Sequence, residues 1–283
     1  MRVIFLGGDV RQKYASDYLC KNGIDSKHYL DFTLDSELIE EINEAQAIVF
    51  PLPISNDGVF LNGTCNVLLR DVLNKVSKTQ IILGGKIPIE IYSLLSLQKN
   101  KIIDYNNDEF FAVQNALLSS EGAIFYAKQK INKSIHGSNI AILGFGRIGK
   151  ILSYLLNVQG AKITVYTRKE LDCAWSKLIG FNTRQIKNSS HQEQNNGEII
   201  KYDLIFNTIP FHIINEDFIK TISQDSIIID LASFPYGIDE ELINKYNLEY
   251  YKEPGIPGRY APQSAGEIIG ATIMNILVRE QQL

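Results

Sequence analysis

Residues 139–168 read NIAILGFGRIGKILSYLLNVQGAKITVYTR and place a glycine-rich turn between two apolar runs. The first run, Ile140–Leu143, leads into Gly144-x-Gly146-x-x-Gly149, and apolar residues then recur at helical spacing. A strand, this turn and a helix within about 30 residues form the arrangement that holds a dinucleotide pyrophosphate at a helix N-terminus. The stretch therefore predicts a parallel α/β sheet with a nucleotide site.

Each glycine of this turn has its own physical role. Gly144 makes the tight turn, Gly146 lets the backbone approach the pyrophosphate, and Gly149 permits close packing of the helix on the sheet. Arg147 and Ile148 stand between them at the start of the helix. We expect all five residues to contact the cofactor. The alternative is a domain of this fold that has lost its cofactor.

The residues after the second apolar run favour one nicotinamide cofactor over the other. An NAD site places a carboxylate about 20 residues after the glycines, where it bonds the ribose 2′-hydroxyl. This chain has Thr167, Arg168 and Lys169 there instead. A guanidinium and a hydroxyl suit a 2′-phosphate, so we expect NADP, with Thr167 and Arg168 as its contacts. Glu170 keeps NAD open, and Arg168 as an ordinary exposed charge is the other alternative.

Two later apolar runs end in polar or small residues, Asn207-Thr-Ile-Pro210 and Asp230-Leu-Ala-Ser233. Ligands of open α/β sheets bind at the carboxyl ends of the strands. Asn207 and Ser233 could instead cap the helices that follow. The residues that we expect to line the cofactor are Asn207, Thr208, Pro210 and Ala232.

Short apolar runs alternate with helical stretches along the whole chain, which is typical of buried parallel strands and their crossover helices. The strands that we expect are Val3–Leu6, His28–Leu30, Ala47–Phe50, Ile81–Leu83, Ile102–Ile103, Ile140–Leu143, Lys162–Tyr166, Leu204–Asn207, Ile227–Asp230 and one near Glu249–Tyr251. The predicted fold is α/β, with two Rossmann-like doubly wound domains of mostly parallel sheets and a cleft between them.

The same rhythm gives the domain boundaries. We expect an N-terminal flavodoxin- or Rossmann-like substrate domain over 1–107, connecting helices over 108–130 that are broken or capped near Ser119 or Ser120, and the NADP domain over 131–263. Residues 264–283 form a helix that packs across the domain interface. The polar segment 182–201 reads as a helix fragment and a mobile loop.

Composition excludes several classes of function. The chain has 283 residues, 45% of them hydrophobic and 21% charged, and a net charge of −4. It shows no basic footprint for nucleic acid and no apolar run of transmembrane length. Three scattered cysteines lack metal-ligand spacing. We expect a soluble cytoplasmic protein without a metal, a nucleic-acid partner or a membrane.

The stretch 254–267, PGIPGRYAPQSAGE, reads as a rigid loop that leads into the last helix. Ser264 and Glu267 have the spacing of a capping box, which puts Ser264 at the N-cap. A helix N-terminus attracts anions, and Arg259 adds a full positive charge. The loop therefore predicts a carboxylate site.

Seven motifs, in their order and spacing, make nearly the whole chain resemble the A subunits of bacterial dipicolinate synthase. They are Gly7-Gly-Asp-Val-Arg-Gln12, Ser119-Ser-Glu-Gly122, His136-Gly-Ser-Asn139, Gly144-Phe-Gly-Arg-Ile-Gly149, Asn207-Thr-Ile-Pro210, Asp230-Leu-Ala-Ser233 and PGIPGRYAPQSAGE. The chain departs from that family at Gln263, Ser264 and Phe234, where the family often has Lys, Thr and Lys. These departures remove two candidate carboxylate-binding cations.

The resemblance implies an oxidoreductase that works with the flavoprotein-like B subunit of the synthase in the mother cell of a spore-forming bacterium, as an oligomer. Its reaction would be the NADP-dependent aromatisation of dihydrodipicolinate, or of its hydrated 4-hydroxy-tetrahydro form, to pyridine-2,6-dicarboxylate. For this small dicarboxylate we expect Arg11, Arg259 and Ser264 as binding residues. Asp9 and Glu121 are the candidate bases.

Each candidate has a plainer interpretation. Asp9 could only bond the backbone at a strand end, Glu121 could only cap the connecting helix, and His212 reads as an exposed loop residue. Two other functions therefore stay open. One is a shikimate- or hydroxyacid-type NAD(P) dehydrogenase, although no clear acid–base pair is visible. The other is a non-catalytic NADP-binding scaffold or regulatory protein.

Overall fold

The computed structural model describes residues 1–97, 100–186 and 199–281. These residues form two compact units, one of residues 1–115 with 261–283 and the other of residues 116–260. The last helix is thus grouped with the first unit. The units begin and end at other residues than the domains given by the sequence pattern, whose boundaries stay a prediction.

The first unit is built on a parallel sheet with the strand order β2-β1-β3-β4-β5. Its strands are β1 (Arg2–Leu6), β2 (Asp25–Tyr29), β3 (Ala47–Val49), β4 (Ile81–Gly84) and β5 (Lys101–Asp104). Its helices are α1 (Val10–Lys21), α2 (Ser36–Glu44), α3 (Leu69–Leu73), α4 (Ile89–Leu97) and the C-terminal α11 (Pro262–Gln281), while α5 (Glu109–Lys130) begins here and runs into the second unit. The strand order reverses between β1 and β3, which is the ligand-binding switch point of such sheets.

The second unit has a parallel sheet of order β11-β10-β9-β6-β7-β8, the doubly wound order of dinucleotide-binding domains. Its strands are β6 (Asn139–Leu143), β7 (Lys162–Thr167), β8 (Asn182–Gln185), β9 (Leu204–Asn207), β10 (Ile227–Asp230) and β11 (Tyr250–Lys252). Its helices are α6 (Arg147–Val158), α7 (Glu170–Ile179), α8 (Glu216–Ile219), α9 (Glu240–Tyr246) and α10 (Ile256–Tyr260). The predicted fold class, two Rossmann-like parallel α/β domains, is confirmed.

Helix α11 packs on helix α1 at very short range. A Cβ added at Gly266 would lie 2.5 Å from the carbonyl oxygen of Arg11, and one added at Gly270 would lie 2.8 Å from that of Ala15. Both glycines face α1. Ile269 and Ile273 beside them belong to one buried cluster with Ala15 and Leu19 of α1. Close approach of the two backbones therefore requires the absence of side chains at these positions.

Four local predictions are wrong, each for a stated reason. Residues 182–185 form the edge strand β8 rather than a helix fragment, because pairing with β7 outweighs their polar composition. Residues 187–198 of that prediction lie outside the described residues. Helix α5 is continuous, since Ser120 is buried within it and its Oγ donates to the Ala116 carbonyl at 2.8 Å.

The other two errors concern the segment before the last helix. Residues 256–260 of the expected rigid loop form helix α10. Helix α11 begins at Pro262, so Ser264 lies inside its first turn and is not the N-cap. Proline fits the first helical position because its φ is preset and no hydrogen-bond partner is needed for its nitrogen.

Candidate functional site

The glycine-rich turn after β6 is shaped by close contacts at two of its three glycines. Gly144 has φ +100°, and a Cβ there would lie 2.9 Å from the Ile209 side chain. A Cβ at Gly149 would overlap the carbonyl oxygen of Gly144. Gly149 therefore has to be glycine so that α6 can approach the end of β6, and Gly144 so that the turn can lie against the residues that follow β9.

Gly146 is different, since a Cβ there would meet nothing within 4 Å. It is the N-cap of α6 with extended backbone geometry and no side-chain cap. Open space thus lies directly before the first backbone N–H groups of a twelve-residue helix. This is the cradle that a pyrophosphate requires.

The end of β7 lies beside this turn, because the Gly144 N–H donates to the Tyr166 carbonyl at 2.8 Å. Thr167 is buried there, while Arg168 is exposed. The Arg168 carbonyl accepts a 3.3 Å bond from the Gln185 side chain, which leaves the guanidinium outside this contact. Glu170 opens α7 two residues later and is exposed.

The end of β9 also reaches the turn. The Thr208 hydroxyl and N–H each donate to the Leu143 carbonyl at 2.9 Å. Asn207 is fully buried, and its amide donates to Asp230 Oδ1 at 2.9 Å and to the Ile209 carbonyl at 3.0 Å. Asn207 thus holds the strand end in shape through contacts with the protein.

Asp230 is an organising residue that the site prediction omitted. This fully buried carboxylate also accepts bonds from the Ala232 N–H at 2.9 Å, the Gly237 N–H at 2.6 Å and the Tyr250 hydroxyl at 2.7 Å. Burial, then the bond to Asp230, raises the pKa of Tyr250. An aspartate as the last residue of a buried strand was the sequence signal for this role.

The remaining predicted cofactor residues lie at the start of α6 and after strands β9 and β10. Arg147 is the first residue of α6, and the carbonyl of half-buried Ile148 lies 3.4 Å from Ser120 Oγ. Pro210 is exposed and Ala232 is buried. The structure thus brings the glycine turn together with the ends of β7 and β9, and the role of these residues in cofactor binding stays a prediction.

In the first unit, Asp9 and Arg11 form one ion pair at the start of α1. Asp9 is the N-cap and accepts from the Arg11 N–H at 2.9 Å, while Arg11 Nη2 lies 2.8 Å from its carboxylate. Burial raises the pKa of Asp9, but the hydrogen bonds and charge of Arg11 outweigh it and hold that pKa below its ordinary value. Asp9 is therefore a weak base in this arrangement.

Arg11 also spans the switch point of the first sheet, since its Nη2 donates to the Leu52 carbonyl at 3.2 Å. Leu52 follows β3, and Arg11 follows β1. Among the hydrogen bonds of the described residues, none uses Arg11 Nη1. A guanidinium held in this way can still receive a carboxylate.

Arg259 is also paired, with a residue that the sequence analysis did not single out. Its Nη2 bonds the carboxylate of buried Glu253 and donates to the Pro254 carbonyl at 2.9 Å. The guanidinium lies 5.5 Å from the Tyr260 ring centre. Glu253 stands six residues before Arg259, so this spacing of opposite charges was the available signal.

The other predicted residues are exposed. Ser264 lies in the first turn of α11 in the first unit, and Glu121 lies on α5 in the second. His212 lies on an exposed segment after β9. Within residues 1–97, 100–186 and 199–281, no cluster of His, Cys, Asp and Glu could hold a metal ion, and no helix has the length and apolarity to cross a bilayer.

The fold and the glycine turn define a two-unit α/β protein whose second unit has the strand order of dinucleotide-binding domains. The chain is 28% identical, over 99% of its length and 97% of the relative, to the dipicolinate synthase A subunit of Bacillus subtilis strain 168. The resemblance to the A subunits of this synthase is thereby confirmed. No family model matches the chain.

Two solved structures show the same fold. The dipicolinate synthase A subunit of Bacillus halodurans superposes with a TM-score of 0.84 at 23% identity, over 98% of this chain and 97% of that one. D-lactate dehydrogenase of Escherichia coli superposes with a TM-score of 0.62 at 14% identity, over 100% and 98%. The architecture is thus shared with hydroxyacid dehydrogenases.

Proposed function

We propose that this chain is a nicotinamide-dependent oxidoreductase that acts as the A subunit of a dipicolinate synthase. Its similarity, along 99% of its length, to the Bacillus subtilis relative carries the proposal. The glycine turn supports it, because open space before Gly146 and enforced packing at Gly149 are what a dinucleotide pyrophosphate needs. NADP is the expected cofactor, with exposed Arg168 receiving the 2′-phosphate.

The reaction is the aromatisation of a reduced pyridine that carries two carboxylates. A nicotinamide held at the glycine turn would supply hydride acceptance, and loss of one hydride and one proton from the ring would convert dihydrodipicolinate to pyridine-2,6-dicarboxylate. The hydrated 4-hydroxy-tetrahydro form first loses water. The protein has to hold a dianion, align its ring and accept a proton.

Arginines that are fixed by protein contacts suit the first task. Asp9 and Leu52 fix Arg11, while Glu253 and Pro254 fix Arg259. A fixed guanidinium loses less rotamer freedom when it binds a carboxylate. We propose both arginines, with Ser264, as carboxylate-binding residues, and Asp9 and Glu121 as the groups to test as proton acceptors.

The proposed partner is the flavoprotein-like B subunit of the synthase, and the proposed setting is the cytoplasm of a sporulating mother cell. The deciding experiment supplies the product of the lysine-pathway aldolase and NADP to this chain, first without and then with the B subunit. NADPH and the aromatic product are followed together. Their joint rise, only when both proteins are present, is expected.

Variants then test the bases. We expect Asp9→Asn or Glu121→Gln to reduce turnover in the coupled assay by about 100-fold or more, the usual scale of a lost general base. Intact turnover in both variants rules out these two roles. Glu40→Gln is the matched control, because Glu40 is an exposed carboxylate of α2 that has no role in the proposed site.

A non-catalytic scaffold is the second candidate, because Asp9 is already used as a helix cap and an ion-pair partner. This function predicts tight NADP binding without NADPH formation, whether or not the B subunit is present. The coupled assay separates the two functions in one measurement.

A further inference from the structure

Helix α7 of the second unit carries an apolar stripe on its exposed side. Leu171, Trp175, Leu178 and Ile179 are 68%, 50%, 77% and 51% exposed. Their spacings of four, three and one residues place them along one face of the helix. Single exposed apolar residues are common, but four on one ten-residue helix form a contiguous patch of the kind that marks an interaction site.

The stripe is not the face that holds α7 to its own sheet. Ser176 is fully buried, and its hydroxyl lies 2.6 Å from the Thr183 hydroxyl of β8. On a neighbouring side of the helix, Asp172 is 3.7 Å from Lys150 of α6. The helix is thus anchored by other residues, and the stripe stays outside these contacts.

The adjoining helix extends the apolar surface. Tyr154 and Val158 of α6 are 60% and 67% exposed, and they follow Lys150 by four and eight residues. Since Lys150 contacts Asp172, the two helices are neighbours along this face. An aromatic and aliphatic surface of this composition resembles the centre of a protein interface.

Two charged residues beside the stripe can pair with the same two residues of a second copy of the chain. Glu170 stands one residue before Leu171, and Lys177 stands one residue before Leu178. In an antiparallel pair related by a two-fold axis, Leu171 of one copy meets Leu178 of the other. The same pairing sets Glu170 of each copy beside Lys177 of its partner, twice by symmetry.

The helix dipoles favour the same direction. Glu170 lies in the first turn and Lys177 in the last turn of α7. An antiparallel pair sets the positive N-terminal end of each helix beside the negative C-terminal end of the other. In a parallel pair, Glu170 and Lys177 of the two copies would lie at different heights and on opposite edges of the contact, so neither would gain a partner of opposite charge.

We propose that the α7 stripe is the interface through which two copies of this chain form a two-fold symmetric, antiparallel dimer. Trp175 lies at its centre, where the two helices cross. This assignment concerns the assembly of the chain and does not depend on the reaction that it catalyses.

Trp175 makes the test direct, because it is the chain's one tryptophan. Sedimentation of the full chain over a dilution series is expected to show a dimer that dissociates. The Trp175 emission is expected to shift to longer wavelength over the same range. Leu171→Glu and Leu178→Glu should each give a monomer with unchanged circular dichroism, since neither side chain is in the core.

Charge reversal tests the antiparallel arrangement. Glu170→Lys or Lys177→Glu alone should weaken dimerisation by at least about fivefold, from two lost exposed ion pairs. The double variant should recover most of the loss. Ile89→Glu, at an exposed apolar residue of the first unit, is the matched control and should leave the dimer intact.

Three outcomes would overturn the proposal. One is a wild-type chain that is monomeric at all concentrations. A Trp175 emission that changes only when the B subunit is added would count as the same outcome, because the stripe would then bind that subunit. Another is a dimer that survives both leucine variants. The third is a double charge variant that recovers none of the loss, since that result shows that Glu170 and Lys177 do not pair across the dimer.

Discussion

Gly149 and Gly146 provide a test at the scale of single residues. Gly149→Ala should lower the unfolding free energy by about 1–3 kcal/mol, because its Cβ would overlap the Gly144 carbonyl and force backbone movement. Gly146→Ala should leave stability within about 0.5 kcal/mol, because open space surrounds the added methyl group. Chemical denaturation measures both values.

NADP binding should respond to Gly146→Ala even though the stability of this variant does not change. Gly146→Ala fills the space before the α6 N-terminus, so NADP affinity, measured by calorimetry, should fall by tenfold or more while the fold persists. If Gly146→Ala binds NADP like the wild type, the proposed pyrophosphate cradle is wrong.

Arg168 sets the expected choice of cofactor. Arg168→Ala should weaken NADP binding by about tenfold or more, the scale of a lost charge-assisted hydrogen bond, and should leave NAD binding unchanged. Lys169→Ala is the adjacent control. An equal loss for both cofactors would show that Arg168 does not read the 2′-phosphate.

Asp9 should leave a signature in acid stability. Arg11 holds its folded-state pKa below the value of about 4 of an unfolded aspartate. The contribution of Asp9 to the unfolding free energy is therefore complete above about pH 4, and it is lost as the pH falls through the lower folded-state pKa. Asp9→Asn keeps a cap acceptor but removes this dependence.

The size of that effect is limited by exposure, since the Asp9 side chain is half exposed. Between about pH 5 and pH 2, the wild type should lose up to about 1 kcal/mol more unfolding free energy than Asp9→Asn. Urea denaturation across this range provides the comparison. Parallel curves for the two proteins would contradict the assigned pKa direction.

At the scale of elements, the α1–α11 contact gives the clearest prediction. Alanine is the better helix former by about 1 kcal/mol, so Gly266→Ala would stabilise an isolated helix. Here the added Cβ would lie 2.5 Å from the Arg11 carbonyl oxygen, and we expect a net loss of about 1–3 kcal/mol. Gly270→Ala should behave in the same way.

Ser264→Ala is the control in the same helix, because Ser264 is exposed. It should leave the thermal midpoint nearly unchanged. A gain in stability in Gly266→Ala would mean that the two helices are further apart than the structure shows.

Sequence patterns predicted elements well where local and tertiary forces agree. The β6–α6–β7 unit combines apolar strands with required glycines, and both signals point to one structure. Strand β8, with the sequence NTRQ, has no apolar signal, because an edge strand with intermediate or exposed residues is held by pairing with β7. The start of α11 was predicted wrongly because Ser264 and Glu267 have the spacing of a capping box, whereas the helix already begins at Pro262.

The site was predictable to a similar extent and for similar reasons. The glycine turn and the end of β7 came from one strong motif, and the end of β9 came from the polar residues that follow its apolar run. The partners of Arg11 and Arg259 did not, because the spacing of Asp9 and Glu253 from these arginines allows an ion pair but does not require one. The buried bonds of Asp230 likewise depend on how β10, β11 and the Gly237 turn meet.

At the scale of the whole molecule, the two units should respond differently to cofactor. Saturation with NADP at about 100 times its dissociation constant adds about 2.7 kcal/mol to the stability of what binds it. Hydrogen exchange should slow at residues 144–149 and 207–210 of the second unit. Comparable slowing across residues 2–29 of the first unit would argue against a site confined to the glycine turn.

The division of the chain also bears on its synthesis. The second unit ends at residue 260, whereas the first unit combines residues 1–115 with the C-terminal helix α11. A ribosome releases the chain from its first residue onwards, and domains fold once their residues have emerged. The second unit can therefore fold on the ribosome while the first unit still exposes the α1 surface that Gly266 and Gly270 will cover. The first unit, whose residues 1–115 are made first, then completes its folding after the second unit.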